Sequence, residues 1–329
     1  DILKALPQDI NSLPKNLRMQ LQNILQVALE ETGQSIQTRM DTLLNSLPEG
    51  IKNSSVAESI RKDLMVSIEK LLQTPMKAVL QDTGVALEAK LKAIAMTLQQ
   101  SGFQDTAKPA VNNETALLKG LLSLGLKSEG SPEKAQAVLE KPALLKNDLK
   151  AGLLQLKDML SENISNAADK ANKSATAVEV KSQNPELLTK IDGLLKDIET
   201  FQLLSKTTDS FYTFLPLNWK ELKDGGVSFK RGKAGAKGVP YSCRINLDLE
   251  EFGKLSAMVV LYNNEFFVTF KSEDVAFQSV IDANSKELQE SFSNRGMRLK
   301  GVNVLGINDD SFEQLERLEA SDKIVSIKA

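Results

Sequence analysis

Apolar residues recur at three- and four-residue steps through the first hundred positions. Leu17, Leu21, Ile24 and Ala28 are followed by Ile36, Met40, Leu43 and Leu47, then by Ile60, Leu64, Ile68 and Leu71, and then by Leu87, Leu91, Ile94 and Leu98. That period puts one apolar stripe on a helix, so residues 1–105 read as an amphipathic helical arm. Leu29-Glu30-Glu31-Thr32-Gly33 with Ile36, Met40 and Leu43 matches Leu80-Gln81-Asp82-Thr83-Gly84 with Leu87, Leu91 and Ile94 at a constant offset of 51. Either two copies of one helical unit or a chance likeness between Leu-rich helices accounts for this. Pro48-Glu49-Gly50 reads as a turn between the copies, and Pro75 should start, end or kink a helix.

Residues 106–162 read as a small helical hairpin unit of three helices, capped at Asn113, capped at Ser131 before Pro132, and opened by Pro142. From 163 to 184 the composition turns to Ala, Ser, Asn and Lys with almost no large apolar residue, which predicts a flexible linker. A helix over 185–210 follows, with Leu187, Leu188, Ile191, Leu194, Leu195 and Ile198 on its apolar side. Residues 211–308 then change period from three or four to two. Strands are expected at 211–217, 227–231, 241–249, 255–262 and 265–271, with Asn263-Asn264 as a two-residue hairpin turn. Ser272 before Glu273-Asp274 signals a helix running to Arg295-Gly296, a last strand spans 297–305, and 309–329 is left as a tail. The expected fold class is α+β: a helical N-terminal arm, then a compact domain of order β-β-β-β-α-β whose helix covers one face of a mostly antiparallel sheet.

Composition sharpens this division. Fifteen of the sixteen aromatic residues lie after position 200, and the single earlier one is Phe103. Flat rings cover pleated sheets, whereas Leu, Ala and Met suffice along helical seams. Lys plus Arg total 41 against 43 for Asp plus Glu, a balance that does not suit a nucleic acid as the main partner. There is no histidine, which removes the commonest general base, the commonest metal ligand and every Ser-His or Cys-His pair. No catalytic residue, cofactor or metal site is therefore expected. No apolar run approaches the roughly 20 residues that span a bilayer, so membrane insertion is not expected. The chain starts at Asp1 rather than Met, which leaves a cleaved leader open.

The remaining candidates are few. The Gly-rich stretch from Lys230 to Gly238 lacks P-loop spacing and joins two strands, so it reads as a solvated loop. Asp248 with Glu250, and Asp309 with Asp310, lack the oxygen-ligand spacing of a calcium loop. Cys243 falls in the apolar phase of Tyr241-Ser242-Cys243-Arg244-Ile245 and reads as a strand residue turned inward. Trp219, just past Pro216 and Leu217, serves either as packing at a strand end or as a partner anchor. The Leu-rich seams of residues 17–98 either pack within the chain or join it to a second copy.

Several stretches of the aromatic region carry a resemblance. In order they are Phe214-Leu215-Pro216-Leu217 leading into Gly225-Gly226-Val227-Ser228-Phe229, Ile245-Asn246-Leu247-Asp248-Leu249 before Phe252-Gly253-Lys254-Leu255, Phe266 to Phe270, the helix with Leu288 and Phe292, and Gly296-Met297-Arg298-Leu299 running into Val302-Asn303-Val304. Together, over residues 211–306, they resemble the C-terminal domain of the flagellar hook-length control protein family. The resemblance implies a non-enzymatic protein of the bacterial cytoplasm. In that family the N-terminal region is exported through the flagellar channel and reports hook length. The C-terminal domain contacts the membrane component of the type III export gate and switches export from hook to filament subunits, with hook or hook-cap subunits as further partners. The partner contact is expected at an exposed sheet edge or on the last strand, at Val302, Asn303, Val304 and Leu305, with Trp219 as a further candidate. The family's arm is typically extended and rich in Pro, Ser and Gln; here it is helical and Leu-rich. The other reading is a helical scaffold that shares the C-terminal fold and stays inside the cell.

Overall fold

The computed structural model describes residues 14–30, 35–64, 66–73, 76–91, 148–171, 178–208, 210–232 and 238–306. The expected caps at Asn113 and Ser131, the helix start at Pro142, the Asp309-Asp310 pair and the tail lie outside these residues. The fold is α+β, with helices in the N-terminal part and a mostly antiparallel sheet with one helix in the C-terminal part. The chain divides into two compact units. One comprises Asp1–Ser35, Thr200–Leu215 and Trp219–Ala329, and the other Ile36–Glu199 with Pro216–Asn218.

The helices are α1 (Lys15–Glu30), α2 (Ile36–Ser46), α3 (Leu149–Ala171), α4 (Val178–Thr208) and α5 (Val275–Asn294), with short helical segments between α2 and residue 91. In the helical unit, Met40, Leu43, Leu44, Ile51, Ile60, Leu87, Leu91, Leu153, Leu156 and Leu160 are almost fully buried. Met40, Leu43, Ile60, Leu87 and Leu91 are among the positions that the three- and four-residue spacing selects, so these parts of the stripes pack within the unit. Gly152 lets α3 approach Ile60, whose side chain lies 3.1 Å from where a Cβ would stand.

The second half of the arm is broken into more pieces than the breaks expected at Pro48-Glu49-Gly50 and Pro75. Ile60–Leu64 is a π-helical turn, Val66–Ser67 forms a short strand β1, and helices Ile68–Gln73 and Met76–Gln81 flank Pro75. A new helix starting just after Pro75 is what the missing N–H of proline demands. β1 pairs in parallel with β3 (Leu217–Asn218), and the Val66 N–H donates to the Pro216 carbonyl at 2.9 Å.

The linker expected at 163–184 is helical on both sides. α3 continues through Ala171, and α4 begins at Val178 and runs through Pro185. Ala167, Ala168 and Ala171 favour helix in the α3 part, since Ala has the highest helix propensity, whereas residues 178–184, without Ala, continue into the apolar-patterned helix after Pro185. The boundary between the units falls at Glu199/Thr200, within α4, rather than in 163–184.

The sheet is built from β2 (Ser210–Phe214), β4 (Leu222–Arg231), β5 (Tyr241–Leu249), β6 (Gly253–Tyr262), β7 (Glu265–Ser272) and β8 (Arg298–Gly306), side by side in that order. Neighbours are antiparallel except β7 and β8, which run parallel because α5 carries the chain back between them. One more strand precedes the helix than in the order β-β-β-β-α-β. The strand expected at 211–217 ends at Phe214, because Leu215 and Pro216 leave the sheet and Leu217 joins β1 instead.

Asn263 and Asn264 have φ of 50° and 62°, which gives the tight turn between β6 and β7 its primed geometry. The α5 cap is Asp274, whose Oδ1 accepts from the Phe277 N–H at 3.0 Å. Ser272, expected as the cap, instead accepts from the Asp274 N–H at 3.2 Å. At its other end the helix stops at Gly296, φ 70°. The Met297 N–H reaches the Phe292 carbonyl and the Gly296 N–H reaches Ser293, a pairing that needs a left-handed residue.

Candidate functional site

The last strand is where sequence reasoning placed the partner contact. β8 is nine residues long, hydrogen-bonds to β7 on one side, and is the end strand of the sheet. Its register skips between Phe266 and Phe267, so Lys300 is the extra residue of a bulge. The Lys300 ammonium sits 3.8 Å from Glu265 beside it. Beyond the bulge, Val302 lies opposite Val268 and Val304 opposite Phe270, while Asn303 lies opposite Thr269 and Leu305 opposite Lys271.

Directly opposed residues share a face of the sheet, and successive residues alternate. Val302 and Val304 therefore share the face of Phe266, whose ring meets Phe292 of α5 at 5.2 Å between centroids. Leu305 is on the other face and packs on the buried cluster of Met258, Val260 and Tyr262, together with Phe267. All four candidates of β8 are half-buried. Each is partly covered where it stands, and among the described residues β8 pairs on one side only, with β7.

Trp219 is also half-buried, and its carbonyl accepts from the Leu222 N–H at 3.1 Å as the chain turns into β4. Three strands separate β4 from β8, roughly 19 Å at the usual spacing. The structure brings the four β8 residues together and does not bring Trp219 to them.

Cys243 is half-buried in β5, between Phe229 and Val259 in register, and burial pushes its thiol up to about 11. Asp248 lies opposite Asp224 and Lys254 in the sheet. Among the described residues no group of His, Cys, Asp or Glu is placed to hold a metal ion. No described helix is long and apolar enough to cross a membrane.

Sequence reasoning missed the aromatic contacts that fasten α5 to the sheet unit. Phe252, in the turn between β5 and β6, stacks on Phe277 at 4.8 Å. The signal was present in the placement of Phe277 and Phe292 15 positions apart on one helix.

A six-stranded sheet fastened to one helix, whose end strand β8 pairs on one side only among the described residues, defines an α+β domain. Residues 230–313, most of the strands and the helix of this domain, match the model of a family described as flagellar hook-length control protein FliK. No curated protein and no solved structure matches the chain.

Proposed function

We propose that this chain is a non-enzymatic hook-length control protein of the bacterial flagellum. Its C-terminal domain contacts the membrane component of the type III export gate and switches export from hook to filament subunits. The observation that carries this reading is the hook-length control match over residues 230–313, which falls on a domain with an open-edged strand. An edge strand offers a row of unpaired N–H and C=O groups to an extended partner segment. The gate contact is accordingly made by the main chain of β8 from Gly301 to Leu305, rather than by its partly covered side chains.

The N-terminal part acts before this contact, passing through the flagellar channel from the cytoplasm. As a continuous helix, 200 residues span about 300 Å; extended, they reach on the order of 700 Å. A length-reporting arm works in the second regime, so the helices open for passage. In culture, the protein should appear in the supernatant of cells with an intact flagellar export apparatus and be absent when the apparatus is deleted. Equal amounts in both supernatants would contradict the reading.

The helical build of residues 15–91 and 149–208 favours a second reading, a scaffold that stays in the cell. On α1, Leu17, Ile24 and Val27 are 45, 61 and 51% exposed, a seam suited to a partner helix. Retention of all the protein in the cells under both conditions would select the scaffold.

A further inference from the structure

Helix α1 carries two stripes at helical spacing. Arg18, Leu21, Gln22, Leu25 and Leu29 are covered, Leu25 almost completely, and they mark the side on which the helix packs. Leu17, Gln20, Ile24 and Val27 form the other stripe, and all four are exposed. Of the described helices, α1 shows solvent the most large apolar residues: Leu17, Met19, Ile24 and Val27, against Val275 and Val280 on α5. The stripes through Met40 and Leu43 and through Leu87 and Leu91 are buried, so the seam left over belongs to α1.

Positions 17, 20, 24 and 27 follow the a and d spacing of a heptad, along which two helices interlock. The charges decide which second helix fits. Lys15 and Arg18 stand in the first turn of α1 and Glu30 at its end, with no charged residue between Arg18 and Glu30. That order is the reverse of what the helix dipole favours, so it costs the lone helix. A second copy of α1 running the other way lays its acidic end along the basic end and sets dipole against dipole. The layers also fit, since Leu17 meets Val27 of the second copy and Gln20 meets its Ile24, each twice about a twofold axis. Parallel copies would bring Lys15 to Lys15 and Glu30 to Glu30.

We infer that two copies of this chain associate through α1, antiparallel, with Leu17, Gln20, Ile24 and Val27 of each as the seam. The seam is about 15 Å long. Such a contact lies below the roughly 1,200 Å² at which specific interfaces of standard size begin, so the dimer forms and parts with concentration. It stands whether the chain is exported or stays in the cell.

Sedimentation velocity of the full chain from about 5 to about 500 µM covers the affinities that so small an interface supports. The chain should pass from monomer to dimer across that range. Ile24→Glu with Val27→Glu should raise the dissociation constant by about tenfold or more, with the circular dichroism unchanged because both side chains are exposed in the single chain. A monomer throughout would overturn the inference, and so would a dimer that the double change leaves as tight. Orientation is read in chains that also carry Cys243→Ser, which removes the only native thiol. Asn23→Cys, close to the twofold axis, should be joined to its own copy by a short bis-maleimide. Leu17→Cys should not, because its two copies stand about 15 Å apart along an antiparallel pair. Any other pattern of linking would overturn the antiparallel arrangement.

Discussion

The Lys90 ammonium donates to Asp148 at 2.8 Å across 58 residues of sequence, and the Asp148 side chain is wholly buried. Lys90 also reaches Asp82 at 2.9 Å, and the other Asp148 oxygen accepts from the Ala151 N–H at 3.2 Å, capping α3. Arg39 stands 51 positions before Lys90 and pairs with Asp197, on α4. The offset is the one that relates the two Leu-rich stretches. Each stretch therefore holds a base at the same place and joins it to a buried acid, at the start of one long helix or within another, which favours duplication over chance likeness.

A buried pair that loses one partner leaves an uncompensated charge. Asp148→Ala should lower the stability of the helical unit by about 3 kcal/mol, more than the exposed pair Glu58–Lys62 would lose. Urea unfolding followed by circular dichroism, with Lys90→Met and the double variant completing a cycle, measures the coupling. An Asp148→Ala chain as stable as the native one would remove the pair from the account.

Gly84 has φ 89°, and a Cβ there would stand 2.6 Å from the Lys150 Cβ and 2.7 Å from the Lys150 backbone nitrogen. Both the conformation and the space require glycine. Gly84→Ala should cost on the order of 2 kcal/mol in the same urea experiment, whereas Gly50→Ala, with nothing within 4 Å, should cost well under half of that.

The turn at Asn263-Asn264 calls for positive φ at two successive residues. Asn264→Gly should leave the melting temperature of the C-terminal domain unchanged or raised. Asn263→Val should lower it, by the equivalent of about 1–2 kcal/mol, because a branched side chain resists that conformation.

Burial raises the Cys243 thiol from 9.0 to about 11. Its unfolded value is the lower one, so the thiol's contribution to stability is whole below about pH 9 and is lost as the pH rises through about 11. Iodoacetamide should alkylate the native protein slowly at pH 8.5, with a rate still climbing near pH 11. In urea the midpoint of that profile should return to near 9.

Strand β5 was legible to the residue, since Tyr241, Cys243, Ile245 and Leu247 alternate with polar neighbours, Pro240 stands before it and residues 250–252 turn after it. β7 and α5 were nearly so, for the same reason of strong local period. β1 and β3 were not legible: two residues each, they exist only because Val66 and Leu217 meet across 151 positions. The helices through 163–171 and 178–184 were hidden by a composition that speaks against a core but not against a helix. At the candidate site, sequence identified the apolar residues of the terminal strand. It could not say that Val302 and Val304 face the side of α5 or that Leu305 joins the Met258 cluster, because those depend on the sheet order and on which face the helix takes.

The central claim is that residues beyond about 210 hold the switch in hook-length control. Hook length, measured by electron microscopy in a strain whose chain stops before residue 210, tests it most directly. The account predicts overlong hooks without filaments and a loss of motility; hooks of normal length bearing filaments would contradict it.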